Sequence, residues 1–192
     1  MITINDLIGL KAPAQNLPPH PNPNYPPSVY YRYLALLLKK LNGKLAVELG
    51  TCGGGASLTM AMHNPQATIV SIDINKLPQV NWIENSYTNF KFKLGDSTAL
   101  AAGIVAEYGN PDLLFIDTDH TYVQTLKEFN TWIPFMKPGS VICFDDLNRD
   151  TYDGGVKKFY EELKGNKTEF GALKEMHISG SSTDGGFGAL LV

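Results

Sequence analysis

Five short apolar runs punctuate the chain between residues 44 and 144: Lys44 to Leu49, Ala67 to Ile72, Phe90 to Leu94, Pro111 to Ile116 and Ser140 to Phe144. Their length and content predict strands. Helix-like stretches fill the gaps, over Ala56 to His63, Leu77 to Ser86, Ser97 to about Tyr108 and Thr121 to Phe135. A further helix precedes the first strand. Its apolar residues Tyr30, Tyr33, Leu34, Leu37, Leu38 and Leu41 recur at spacings of three and four, so one face is buried. Ser28 is placed to cap it, and Asn42-Gly43 to end it. A last helix is expected from about Gly155 to Leu163, and Ser97 is expected to cap the helix that it opens.

Strands alternating with helices imply an α/β fold: a doubly wound, mostly parallel sheet with helices on both faces and right-handed crossovers. Two late strands, near Leu173 to Ile178 and Gly186 to Val192, have only the turn-rich Ser179 to Gly185 between them. They read as an antiparallel hairpin and bring the expected sheet to seven strands. No repeat or second-domain linker interrupts the pattern. One domain, 1–192, is expected, with a core over 28–192. Residues 1–10 carry a weak helix or strand signal, and 11–27 hold seven prolines, which exclude helix and central strand. That arm reads as a surface segment, or as a lid to which Tyr25, Tyr30 or Tyr31 contributes.

Composition narrows the class. With 43% hydrophobic and 18% charged residues, the 192-residue chain suits one globular domain with a full core. A net charge of −3 and no basic run longer than a pair disfavour a nucleic-acid partner. The start lacks the pattern of a signal peptide, and Tyr33 to Leu38 is too short to cross a bilayer, so no membrane partner is expected. Cys52 and Cys143 have no zinc-like spacing and make no disulfide framework, which points to a reduced, cytoplasmic setting. Apolar positions of the 29–41 helix offer a face for a homodimer.

Candidate chemistry concentrates at one end of the sheet. The first strand runs into Gly50, Gly53, Gly54 and Gly55, four glycines within six positions, and a helix follows at once. Such a turn brings backbone N–H groups and the positive end of a helix up to a ligand. Acids fall at the C-terminal ends of strands one, two, four and five: Glu48, Asp73, Asp117 and Asp145-Asp146, with Asp96 just past strand three. Ligands bind outside those ends in an open parallel sheet. Asp73 lies about 20 residues beyond the glycine turn, the offset of an acid that binds ribose hydroxyls. It also suits a helix cap. Asp96-Ser97 could meet an adenine amino group or cap a helix. Asp117, Asp145 and Asp146 would bring three carboxylates together, which a hard divalent cation would compensate: Mg2+ first, then Mn2+ or Ca2+. His120, three residues past Asp117, is a candidate general base or an orienting residue.

Glu48-Leu-Gly-Thr-Cys-Gly-Gly-Gly-Ala-Ser57 resembles the first motif of class I S-adenosylmethionine-dependent methyltransferases. It is most similar to the catechol O-methyltransferase-like enzymes and the small sugar and antibiotic O-methyltransferases. Phe115-Ile-Asp-Thr-Asp-His-Thr-Tyr122 resembles the acid-rich fourth-strand motif of the latter, and Lys137 to Asp146 the fifth-strand segment that closes their metal site. The resemblance covers roughly residues 44–192. It implies a Rossmann-like methyltransferase fold and S-adenosyl-L-methionine as cofactor. Glu48, Gly50, Thr51 and Gly54 would serve its methionine part, Asp73 its ribose, and Asp96 and Ser97 its adenine, with Asp117 beside it. Asp117, Asp145 and Asp146 would match the metal ligands. His120 falls where the catechol enzymes place a lysine base, and Cys52 departs from the commonest glycine motif. The expected reaction is metal-assisted O-methylation of a small hydroxyl-bearing molecule, with Asp117 and His120 catalytic. Two rivals stay open: a nicotinamide-dependent dehydrogenase, whose Gly-x-Gly-x-x-Gly the glycines do not fit, and a non-catalytic binder of the adenosyl cofactor.

Overall fold

The structure, a computed structural model, describes residues 28–149, 151–165, 173–175 and 186–192. The proline-rich arm, Tyr25 and the turn at 179–185 lie outside the described residues, as does His177.

Helix α1 (Val29–Lys40) leads into β1 (Leu45–Leu49). There follow α2 (Gly55–His63), β2 (Thr68–Asp73), α3 (Pro78–Ser86), β3 (Phe90–Leu94) and α4 (Ser97–Tyr108). Next come β4 (Leu113–Ile116), α5 (Tyr122–Trp132) with a 3-10 turn over Ile133–Phe135, and β5 (Val141–Asp145). Helix α6 (Gly155–Gly165), β6 (Leu173–Glu175) and β7 (Phe187–Leu191) complete the order. The elements expected within the described residues are present, with ends shifted by a few residues, and the signal over 1–10 lies outside them.

The sheet has seven strands in the order β3-β2-β1-β4-β5-β7-β6. The first five pair in parallel, and β7 runs antiparallel to both β5 and β6. The late hairpin therefore folds back, with β7 between β5 and β6. One face packs Leu34, Leu37 and Leu38 of α1, Leu58 and Met60 of α2, and Val80 and Ile83 of α3. The other packs Ala101 and Ile104 of α4, Phe129 and Trp132 of α5, and Phe159 and Leu163 of α6. Burial on both faces explains why β1, β4 and β5 are near-continuous apolar runs. The chain leaves β1 in one direction through β2 and β3, then returns to its other side with β4. The β1/β4 junction is thus the switch point, and its C-terminal side is where a ligand fits.

Helix α1 belongs to this core. Tyr33, Leu34, Leu37 and Leu38 are fully buried, and Tyr30 stacks on Phe187 at 5.4 Å. The apolar face of α1 is turned inward, and Tyr30 is a core residue rather than part of a lid. Ser28 makes no side-chain cap. The C-terminal stop matches expectation: Asn42 takes a left-handed φ of 50°, and the N–H groups of Asn42 and Gly43 reach back to the carbonyls of Lys39 and Leu38. No helix of the described residues is long and apolar enough to cross a membrane.

Candidate functional site

The glycine turn is shaped by the meeting of β1 and β4. The Gly50 N–H donates to the Ile72 carbonyl and the Asp117 N–H to the Leu49 carbonyl, both at 2.9 Å. Gly50 holds φ +92°, and a Cβ there would stand 1.9 Å from the Asp117 carbonyl oxygen, so only glycine fits. Gly54, at φ 81°, is the N-cap residue of α2, and its missing Cβ makes room for Ile83. Cys52 is held at φ 46° while its N–H donates 2.9 Å to Asp73 Oδ2. Asp73 Oδ1 accepts from Asn75 N. The β2 acid thereby fastens the turn to its neighbouring strand.

Glu48 lies beneath the turn. It is 1% exposed and accepts hydrogen bonds from the Ser57 and Ser71 hydroxyls. Thr51 Oγ1 is 2.7 Å from Ser71 Oγ and is also buried. Burial raises the Glu48 pKa to about 7 against the pull of the two serines. Glu48, Thr51 and Gly54 build the turn's support and do not line the open pocket.

That pocket, about 440 Å³, lies over the C-terminal strand ends. Gly50 and Cys52 line it from the turn, Asp73 to Asn75 from the end of β2, and Gly95 to Ser97 from the end of β3. Asp117 to Asp119 close it after β4, with Gln124 and Glu128 from α5. Among the described residues its lining includes five carboxyl groups, Asp73, Asp96, Asp117, Asp119 and Glu128, and no lysine, arginine or histidine. These acidic side chains favour a cationic ligand there over a pyrophosphate.

The cap of α4 is Asp96, not Ser97. Asp96 Oδ1 accepts from Thr98 N at 2.7 Å and Ala99 N at 3.2 Å, and Oδ2 lies 3.2 Å from Lys127 Nζ. The Asp96 side chain both caps the helix and lines the pocket, so the two roles weighed for it are compatible. These donors hold its carboxyl far below the usual range. Ser97 instead turns inward and donates to Glu128 Oε1 at 2.5 Å. Glu128 is buried and takes two more donors, Gln124 Nε2 at 2.9 Å and Thr118 Oγ1 at 2.8 Å. Burial raises its pKa, and the three donors oppose that rise.

A second group of residues flanks the pocket at Asp117. His120 Nδ1 lies 3.3 Å from Asp146 Oδ2 and 3.9 Å from Asp117 Oδ1. Burial lowers the His120 pKa and outweighs the nearby Asp146, so the imidazole is neutral near pH 7. The Asp117 carboxyl is held well above the usual range, first by burial and then by the charges of Asp145, Glu48 and Asp146. Arg149 pairs with Asp146 at 3.0 Å. The three expected metal-ligand acids are therefore near enough to repel, and their hard oxygens suit a divalent cation. As the side chains stand, no three His, Cys, Asp or Glu residues among the described residues converge as a ready metal site.

Ile74, Asn75, Thr118, Gln124 and Glu128 line the pocket and were not expected. Glu128 had a legible signal: with Thr125, Phe129 and Trp132 it falls on the buried stripe of α5. Tyr31 reaches the site from α1. Its ring packs where a Gly55 Cβ would be, 2.7 Å from Cε2. Burial raises its pKa, and so do the charges of Asp117, Glu48 and Asp145.

This sheet order, with its acid-lined switch point, defines the Rossmann-like methyltransferase fold. The sequence pattern of the family described as "Methyltransferase domain" matches residues 47–147, from β1 to just past β5. The chain belongs to that family. No curated protein matches it. Among solved structures, it is similar to the O-methyltransferase TomG from Streptomyces achromogenes, of tomaymycin synthesis, in complex with SAM. The TM-score is 0.70 and the identity 19%, over 100% of this chain and 92% of that one. The O-methyltransferase from Bacillus cereus, in complex with SAH, gives a TM-score of 0.67 at 19% identity, over 98% and 90%. The MycE methyltransferase of the mycinamycin pathway, in complex with Mg, SAH and mycinamycin VI, gives 0.65 at 16%, over 96% of this chain and 54% of that one.

Proposed function

We propose that the protein is an S-adenosylmethionine-dependent O-methyltransferase acting on a hydroxyl of a small molecule. The observation that carries this is the pocket at the β1/β4 switch point, lined among the described residues by five carboxyl groups and no basic side chain. It suits a ligand with a sulfonium and an ammonium, and it opposes the pyrophosphate of a nicotinamide dinucleotide. The cofactors named with TomG and the Bacillus cereus enzyme, SAM and SAH, support the same reading.

Gly50 and Cys52 would hold the methionine part, Asp73 the ribose, and Asp96 and Ser97 the base, all of them pocket-lining residues. Glu48 and Thr51 keep the turn in place from below. When bound, S-adenosylmethionine supplies an electrophilic methyl group. Asp117 stands between that pocket and His120, so an acceptor hydroxyl is directed to the space these two residues share. His120 Nδ1 faces Asp146, which leaves Nε2 to take the hydroxyl proton. Asp146 then faces the imidazolium, and binding the two reactants in one cleft supplies the entropic part of the acceleration.

Asp117, Asp145 and Asp146 are proposed to hold a divalent cation, magnesium first. Burial and the charges of Asp145 and Asp146, which together hold the Asp117 carboxyl well above its usual range, support this, as does the Mg named with MycE. Such an ion lowers the pKa of a bound hydroxyl. The test is methyl transfer from labelled S-adenosylmethionine to a panel of sugars, phenols and polyketide alcohols, with magnesium and with a chelator. Transfer that needs magnesium supports both parts. Transfer unaffected by the chelator removes the metal, and absence of transfer to any hydroxyl removes the O-methyltransferase reading.

A further inference from the structure

Glu128 lies outside the residues assigned above to the cofactor or to the chemistry, yet it gathers three pocket-lining side chains from three parts of the chain. Ser97 comes from the start of α4, Thr118 from the loop after β4, and Gln124 from α5. All three donate to it, at 2.5, 2.8 and 2.9 Å. An ionised carboxylate only accepts, so it fixes the direction of each partner. The protons of Ser97 Oγ and Thr118 Oγ1 point at Glu128, and their lone pairs are left for the pocket. The Gln124 amide spends one N–H on Glu128 and keeps its oxygen and its second N–H. The Trp132 indole N–H donates to the Ser97 carbonyl at 3.2 Å and so anchors the Ser97 backbone beside Glu128. Asp96 adds another acceptor to the same region, its Oδ1 already taken up by the first N–H groups of α4.

We propose that Glu128 is a positioning residue that turns the lone pairs of the Ser97 and Thr118 hydroxyls into the pocket and so selects a purine bearing an exocyclic amine over one bearing an oxo group. The inference rests on the adenosyl reading of the pocket. An amino group offers two protons to a wall of lone pairs. A 6-oxo group would set its own lone pairs against those of Ser97 and Thr118, and a buried polar group left without a partner is costly. Burial of Glu128 strengthens the effect, because no water replaces the three donors that it orients.

The experiment is calorimetric binding of S-adenosylhomocysteine and S-inosylhomocysteine to the full chain, wild type and Glu128→Gln. Neither ligand carries a methyl group, so turnover plays no part. Glu128→Gln replaces one acceptor by a donor and forces at least one partner to turn its proton toward the pocket. Wild type is expected to favour the adenosyl ligand by about ten-fold or more, and Glu128→Gln to bring the ratio to within about two-fold of unity. If Glu128→Gln does not fold, Thr118→Val takes its place. It removes one wall acceptor, leaves Glu128 intact and is expected to lower the ratio about three-fold. Equal binding of the two ligands by wild type overturns the proposal while leaving the adenosyl site standing. An unchanged ratio in Glu128→Gln, or in Thr118→Val where it stands in, overturns the assigned role. Failure of wild type to bind S-adenosylhomocysteine overturns the adenosyl reading itself, and this inference with it.

Discussion

His120 Nδ1 and Asp146 Oδ2 lie 3.3 Å apart, and both residues hold left-handed backbone, at φ 62° and 55°. Non-glycine residues in that region cost about 1–3 kcal/mol each unless their surroundings compensate. Two such residues facing one another across the loops after β4 and β5 mark a place where geometry is kept at the expense of stability. His120→Asn tests this directly. Asparagine tolerates the left-handed region but removes the imidazole. The melting temperature should hold or rise, while kcat for methyl transfer falls by about 100-fold or more, the usual worth of a general base. A variant with full activity would remove His120 as the base.

Asp117 sits where the pocket and the His120 group join. Asp117→Ala should abolish methyl transfer. Binding of S-adenosylhomocysteine should survive, since Asp73, Asp96 and the glycine turn remain. Parallel calorimetry and activity assays check both halves. Activity retained in the variant would remove the role of Asp117 in catalysis and in holding a metal.

Glu48 gives stability a pH dependence with a definite sign. Its pKa is raised from 4.5 to about 7 in the folded chain, so the folded state binds the proton more tightly than the unfolded one. The associated stability is fully present below about pH 4.5 and is lost as pH rises through 7, to a total on the order of 3 kcal/mol. Glu48→Gln does not titrate there. Urea unfolding at pH 5 and pH 8 should show the variant gaining on wild type by that order at the higher pH. A constant difference between the two proteins would contradict the raised pKa.

Gly50 has no room for a side chain. Gly50→Ala places a methyl group against the Asp117 carbonyl and strains φ +92°. A loss of at least about 2 kcal/mol is expected in chemical unfolding. Gly53, whose Cβ would meet nothing within 4 Å, is the control and should tolerate alanine with little loss.

Much of this molecule was legible in its sequence. Strands β1, β4 and β5 read clearly because burial on both faces leaves runs such as Leu113–Ile116 without polar breaks. The fully buried face of α1 could be read from the spacing of Tyr33, Leu34, Leu37 and Leu38. Strand-end acids located the site, since a parallel sheet puts all its strand ends on one side. What each polar group does was less legible. Asp96 rather than Ser97 caps α4, because one oxygen of Asp96 reaches two backbone N–H groups while Ser97 is drawn to Glu128. Glu48 and Thr51 turn inward because Ser57 and Ser71 come from α2 and β2 to meet them, contacts between segments that no local pattern encodes. Tyr31 joins the site only because Gly55 leaves space for its ring.

The acid-lined pocket at the β1/β4 switch point is proposed to take an S-adenosyl ligand and not a dinucleotide. Isothermal titration of the purified chain with S-adenosylhomocysteine, and separately with NAD+, tests it most directly. One-to-one binding of S-adenosylhomocysteine, with none of NAD+, is the predicted result. Binding of NAD+, or of neither ligand, would contradict it.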